Sequence, residues 1–308
     1  MRRSRFPRLV VVASGVFVLG VLAVPASVAS RANSRVTNDA DGTTSHLRSD
    51  GSSDDVTSDC SHGRRQQNEP TVAVDPHDPD VVVAGVNDYC TLIHTGDVWA
   101  GYYRSTDGGA TWANSLVPGY PGDDSAAGQA SPVSGTCTAA GDPTESFDND
   151  GSAFYGFICF NRLKPINGGV FVSRYLDDGA TYDRTVLLQR GTPSGLFSAG
   201  LFQDKVNLAV DQTTGPTSGN VYVAWSRYKG FAGNNSILFT RSTDHGVPFS
   251  QPIKVIPTAK GTGSYTDLAV GPDGTLYLTF LTYPTSSRPT TVVWLVRSTD
   301  GGVHWEDP

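Results

Sequence analysis

"STDGGATW", Ser105 to Trp112, is too polar for a strand and too aromatic for an ordinary loop. It returns as "STDHGVPF", Ser242 to Phe249, and as "STDGGVHW", Ser298 to Trp305. A weaker copy, "YLDDGATY" from Tyr175 to Tyr182, keeps Asp177, Gly179, Thr181 and a closing aromatic. A word repeated along a chain announces a repeated structural unit, and its surroundings should repeat with it.

They do. Upstream of each copy stands a hairpin of two apolar runs joined by a polar turn: "EPTVAVDPHDPDVVVAGVNDY" from Glu69, "DPTESFDNDGSAFYGFICFN" from Asp142, "KVNLAVDQTTGPTSGNVYVAWSRY" from Lys205 and "YTDLAVGPDGTLYLTFLTY" from Tyr265. They align on Val74, Phe147, Val210 and Val270. A third run ("VWAGYYR", "GVFVSR", "SILFTR", "VVWLVR") enters the word, and a fourth ("TWANSLVP", "TYDRTVLL", "PFSQPIKVI") leaves the first three copies. Four antiparallel strands per repeat predict an all-β chain, a β-propeller of four-stranded blades. The word is then the turn between third and fourth strands. Gly109, Gly179, Gly246 and Gly302 supply backbone geometry closed to other residues, and Ser105, Asp107, Asp177, Ser242, Asp244, Ser298 and Asp300 supply oxygens for turn amides. Trp112, Tyr182, Phe249 and Trp305 are expected to plug between neighbouring sheets.

Composition agrees with this reading. The 308 residues are 38% hydrophobic and 17% charged, with 34 glycines and 19 prolines suited to short strands and turns. The N-terminus places Arg2, Arg3, Arg5 and Arg8 before an apolar run from Leu9 to Val24, then small residues at Ser27-Val28-Ala29. Residues 1–29 are expected to be a signal peptide, the rival being an uncleaved anchor; the run is short for a membrane span, and the membrane enters only through export. Removal of that segment shifts the net charge from −7 to −11, leaving 19 basic against 30 acidic residues, a balance that excludes nucleic acid as a partner. Residues 30–67, almost without aliphatic side chains, are expected to form a disordered linker, and 68–308 the propeller. In an exported chain Cys60, Cys90, Cys137 and Cys159 form two disulfides. Cys60–Cys90 with Cys137–Cys159 would clip single repeats, and Cys90–Cys159 would join neighbours.

The word resembles the Asp-box (S-x-D-x-G-x-T-W) of the bacterial neuraminidase repeat. That resemblance implies a sialidase-like propeller acting on or binding glycans, with the site on the blade face opposite the boxes. By strand order that face collects Glu69, Asp142, Asp204, Lys205 and Asp267 from strand starts, and Asn87, Asp88, Tyr89, Asn161, Arg162, Arg227, Tyr228 and Tyr283 from strand ends. A sialidase-like site implies Arg162 and Arg227 as carboxylate clamps beside Asn87 and Tyr89. It implies Tyr228 or Tyr283 as nucleophile and Glu69, Asp88 or Asp142 as acid and base. The Phe/Tyr-Arg-Ile-Pro stretch that catalytic sialidases carry before the first box has no counterpart here.

Two other readings stand beside this one: a hydrolase of neutral polysaccharide using two carboxylates, and a non-catalytic scaffold for protein or carbohydrate. No cofactor is expected, a structural Ca2+ being the one conceivable ion; no histidine has metal-ligand spacing, and His62, His77, His94 and His245 read as solvated loop residues. Sialidase-like rings use six blades and four repeats are present, the last without a fourth strand. An incomplete ring is therefore expected, unless residues before Glu69 supply the missing strand.

Overall fold

The computed structural model describes residues 33–37, 46–62, 66–163, 165, 167–195, 200–230, 235–255, 263–284, 286 and 289–307. The expected signal at 1–29 lies outside them.

Among the described residues fifteen strands form four antiparallel sheets in chain order. The first holds β1 (Gln67–Val74), β2 (Val82–Asp88), β3 (Trp99–Ser105) and β4 (Ala113–Leu116). The second holds β5 (Ala139–Phe147), β6 (Ala153–Phe160), β7 (Gly168–Leu176) and β8 (Thr181–Arg190). The third holds β9 (Leu201–Val210), β10 (Val221–Lys229), β11 (Ser236–Ser242) and β12 (Ile253–Lys254). The last has three: β13 (Gly263–Val270), β14 (Leu276–Thr282) and β15 (Val292–Ser298). The first strands β1, β5, β9 and β13 pack side by side in that order.

Alternation of side chains across each strand gives every sheet two apolar faces, and those that meet a neighbouring sheet are buried. Ala100 and Tyr102 meet Phe147, Tyr155 and Phe157 between the first two sheets, and Tyr102 stacks on Tyr175 with centroids 3.9 Å apart. Val170 and Val172 meet Leu208 and Val210 at the next interface, and Ile237 and Phe239 meet Leu268 and Leu278 at the last.

The repeated turns lie at one end of the sheets. Ser105 Oγ accepts from Gly109 N at 2.8 Å and donates to Asp107 Oδ1 at 2.8 Å; the same Asp107 carboxylate takes Thr111 N at 2.8 Å and Thr111 Oγ1 at 2.7 Å. Those bonds, the Thr111 amide first, hold Asp107 down to about 2. Ser298, Asp300 and Gly302 repeat the pattern, with His304 in place of Thr. Gly109, Gly179, Gly246 and Gly302 all have positive φ. Asp177, Asp178 and His245 join them at φ 54°, 56° and 45° without being glycine. The turn aromatics pack as expected in the later sheets, Trp305 edge-on to Phe239 of the preceding sheet at 5.0 Å. Trp112 is a correction: it rests on its own sheet and Val36, because no sheet precedes the first among the described residues.

Within the expected linker, the described stretch 46–62 is ordered, which corrects that expectation there. A helix α1 (Asp55–His62) packs through Val56, and Cys60 is bonded to Cys90; Arg48 pairs with Asp54 at 2.7 Å. The disulfide and a few apolar contacts do what a lone polar segment cannot. Leu47 bridges to Ser115 in β4, so this segment extends the first sheet and does not complete the last. The second disulfide is Cys137–Cys159, so each bond clips one repeat. Among the described residues no helix is long and apolar enough to cross a membrane.

Candidate functional site

At the end of the sheets away from the turns, each first strand breaks register against its partner: between Asn68 and Thr71, between Gly141 and Thr144, opposite Ala224 and Ser226, and between Ser264 and Asp267. One residue in each bulge is left-handed: Glu69 at φ 51°, Asp142 at 52°, Lys205 at 54° and Tyr265 at 54°. None is glycine, so the conformation is disfavoured four times over, and bulges of this kind re-aim a side chain. Neighbouring sheets hold them in place. Asn87 Oδ1 accepts from Asp142 N at 2.7 Å, and Ser226 Oγ accepts from Tyr265 N at 3.0 Å. Gly141 leaves room for the first contact, since a Cβ there would lie 2.3 Å from Asn87 Oδ1.

The result is a row of charged groups across three sheets. Lys205 Nζ donates to Asp142 Oδ2 at 2.9 Å and stands 4.0 Å from Asp204 Oδ1. Asn87 Nδ2 donates to Glu69 Oε2 at 3.1 Å. Asp142 stands between Glu69 on one side and Asp204 on the other, close enough for each carboxyl to shift the proton affinity of its neighbour. Burial pushes Asp142 up, but the bonds from Lys205 and Glu69 outweigh it and keep the group ionised below its ordinary value. Its neighbours move the other way. The hydrogen bond to Asp142, then burial, raises Glu69; burial, then the charge of Asp142, pushes Asp204 up to about 7.

Glu69, Asp142 and Asp204 open on a cleft of about 390 Å³ with Asn68, Asn87, Tyr89, Phe160, Asn161, Arg162 and Phe202. Arg162 lies over the Phe160 ring at 4.9 Å and donates to Asp97 Oδ2 at 2.6 Å. Through Asn161 and Arg162 this cleft adjoins a larger one of about 1150 Å³, edged by hydroxyl and amide groups of Thr95, Gln129, Ser134, Thr136 and Asn167.

Seven of the residues expected on this face therefore meet: Glu69, Asn87, Tyr89, Asp142, Asn161, Arg162 and Asp204. Asp88 does not. It is fully buried on the other side of β2 from Asn87, accepting from Cys90 N at 2.8 Å and Tyr103 Oη at 2.5 Å beside His46 at 3.3 Å, so it is a structural anchor. Tyr228 meets Ser264 of the next sheet, and burial raises its phenol, the opposite of what a nucleophile requires. Arg227 stands opposite Gln203 on β9, and Tyr283 follows β14; neither lines the cleft. Asp204 and Lys205 belong to the centre although only their place on this face was legible. His245, expected to be a solvated loop residue, is half-exposed and also sits 3.1 Å from buried Asp148 and 3.8 Å from Asp150 at the turn end.

Fold and site together define an all-β array of propeller-type sheets with a carboxylate-rich cleft. No family model matches the chain, and no curated protein is similar to it in sequence. Solved structures do resemble it. A protein of unknown function from Dyadobacter fermentans is 14% identical, with a TM-score of 0.50 over 78% of this chain and 68% of that one. The Trypanosoma rangeli sialidase is 15% identical, with a TM-score of 0.51 over 89% of this chain and 42% of its own. An ulvan lyase, solved with a GlcA(1-4)Rha3S unit, is 10% identical, with a TM-score of 0.53 over 79% and 59%. The chain thus spans about half the length of the two enzymes. These likenesses are of fold, and the fold is shared with glycan-acting enzymes of the propeller type.

Proposed function

We propose that the chain is an exported Asp-box propeller whose cleft hydrolyses a glycan that carries no carboxylate. The row Glu69–Asp142–Asp204 carries the reading. Asp142, held ionised by Lys205, raises the proton affinity of the carboxyls on either side, Asp204 to about 7, and carboxyls shifted towards neutral pH are what glycoside hydrolysis uses as acid and base. Asp204 is the proton donor to the leaving oxygen, and Glu69 activates the attacking water. Tyr89, Phe160 and Phe202 offer apolar surface to sugar faces, and the adjoining cleft has room for further units.

Charge argues against an anionic sugar. Lys205 is already paired with Asp142 and Arg162 with Asp97, so both cations at the cleft are neutralised while the acids stay in excess. Repetition of the Ser–Asp–Gly hydrogen bonds at two turns supports the Asp-box assignment, and two disulfides support export. The test is a panel of neutral polysaccharides beside a sialoside, read by reducing ends. Turnover on a neutral polymer is expected. Cleavage of the sialoside alone overturns the neutral-glycan reading, and retained glycan binding with no turnover on any substrate turns the site into a lectin.

A further inference from the structure

One connection departs from the repeat. Between β8 and β9 the chain crosses in 191–200 and between β12 and β13 in 255–262, but from β4 to β5 it takes 117–138. The sheet order needs no crossing of that length, and long ordered loops on a rigid scaffold are where binding residues concentrate. This one is tied down along its whole course. Trp99 Nε1 donates to Val117 O at 2.8 Å, and Tyr120 Oη donates to Asp54 Oδ2 at 2.7 Å. Buried Asp123 accepts from Gly119 N at 2.9 Å and from Ser125 Oγ at 2.7 Å, while Gln129 Nε2, on a short helix at Ala126–Ala130, donates to Asp123 O at 2.8 Å. Gly128 makes room for that carboxylate, since a Cβ there would lie 2.2 Å from it. The Cys137–Cys159 bond fixes the far end, where Asn161 accepts from Thr138 N at 3.0 Å and donates to Thr136 O at 3.1 Å.

The loop walls the groove of about 1150 Å³ that adjoins the carboxyl row. Charges along it are compensated within the protein: Asp97 by Arg162, Asp124 by Arg48, and Asp123 by the amides and hydroxyl of its own loop. The rest of its polar lining is hydroxyl and amide. Arg162 stands where the groove meets the smaller cleft. Its Nε is held by Asp97 and its guanidinium lies over Phe160, yet the side chain is 58% exposed and no bond from its Nη groups to the described residues is present. A planar fork fixed at its base, with its outer N–H groups open, is a donor for neighbouring hydroxyls.

We infer that this groove grips a neutral polysaccharide over a run of consecutive sugars, and that Arg162 is the residue that selects it. The inference rests on the hydrolytic proposal for where the reacting bond lies, at Glu69 and Asp204, with the chain continuing past Arg162 along the loop wall. The guanidinium donates to hydroxyls of the sugar at the junction, and a wall already in place holds the next units without the entropy cost of ordering a loop around them. Length is then part of recognition: a polymer is held and a single sugar is not.

Affinity electrophoresis in gels containing arabinan, galactan, glucomannan or xyloglucan tests the grip, and reducing-end release from the same polymers is read separately. The wild type should be retarded by at least one polymer. Arg162→Ala should weaken that retardation at least about 10-fold, the cost of losing a hydrogen bond from a charged group, and Arg162→Lys should recover little of it because an ammonium has no fork. Ser134→Trp, which sets a ring in the groove away from the carboxyl row, should weaken it as much, with far-UV circular dichroism unchanged in all three variants. Retardation that these variants lose, with no polymer cut by the wild type, removes the hydrolytic proposal and keeps the groove. A polymer cut by the wild type whose retardation survives Arg162→Ala and Ser134→Trp keeps hydrolysis and overturns the groove. Retardation in none of the gels, or retardation relieved by the constituent monosaccharide alone, overturns it as well.

Discussion

At the scale of single residues, Glu145 is the outlier. It stands on β5 where the other first strands carry Val72, Leu208 and Leu268, and both its carboxyl oxygens are buried with no hydrogen-bond partner. Gly85 makes this possible, since a Cβ there would fall 1.9 Å from Glu145 Oε1. Burial raises the acid well above its ordinary value. The folded state therefore holds a proton that the unfolded chain releases, so stability falls as pH rises through the ordinary carboxylate range towards the raised folded value. Glu145→Leu should stabilise the protein by about 1–3 kcal/mol at neutral pH, the penalty of an unsatisfied buried polar group, and flatten this slope. Urea denaturation at pH 5 and pH 8 checks it; a destabilised variant with the slope intact would mean that the carboxyl has a partner.

At the scale of elements, the turns were legible and the bulges were not. Ser, Asp and Gly at fixed spacing name their own geometry, because few other residues satisfy a left-handed turn and its amides. The two glycines are not equivalent, however. Gly302 has φ 84° and a Cβ there would lie 2.3 Å from the Phe239 ring, whereas at Gly109, also φ 84°, the nearest atom is 3.5 Å away. Gly109→Ala should lose about 1–2 kcal/mol from backbone strain, and Gly302→Ala about 1–3 kcal/mol more from overpacking. Urea midpoints measure the difference, and equal losses would refute the packing argument. The bulges use Glu69, Asp142, Lys205 and Tyr265 where a left-handed residue would be expected to be glycine, so no residue type announces them. One residue of register decides which face a side chain meets, which is why Asn87 reaches the cleft and adjacent Asp88 is sealed behind the sheet. Arg162 finds Asp97, 65 residues away, and no local pattern carries such a pairing.

At the scale of the whole molecule, repetition does two things. It builds a stack in which every sheet but the outermost is covered on both sides, and it brings the bulges of successive sheets to a common end. Four equivalent positions hold Glu69, Asp142, Lys205 and Tyr265, so the site is where the array stops being equivalent. Lys205 between two aspartates is the feature that sets the proton affinities, and Lys205→Met should let Asp142 climb, with loss of activity at neutral pH and recovery of part of it under more alkaline conditions. A variant with the wild-type pH profile would remove Lys205 from the account.

In the proposed hydrolysis Asp204 delivers the proton. The pH dependence of kcat/KM on a neutral polysaccharide, for wild type and Asp204→Asn side by side, tests it most directly. The wild type should lose activity above a limb near pH 7, where the carboxyl pushed up to about 7 ionises, and the variant should be at least about 100-fold slower with that limb gone. A variant that keeps both the rate and the limb contradicts the account.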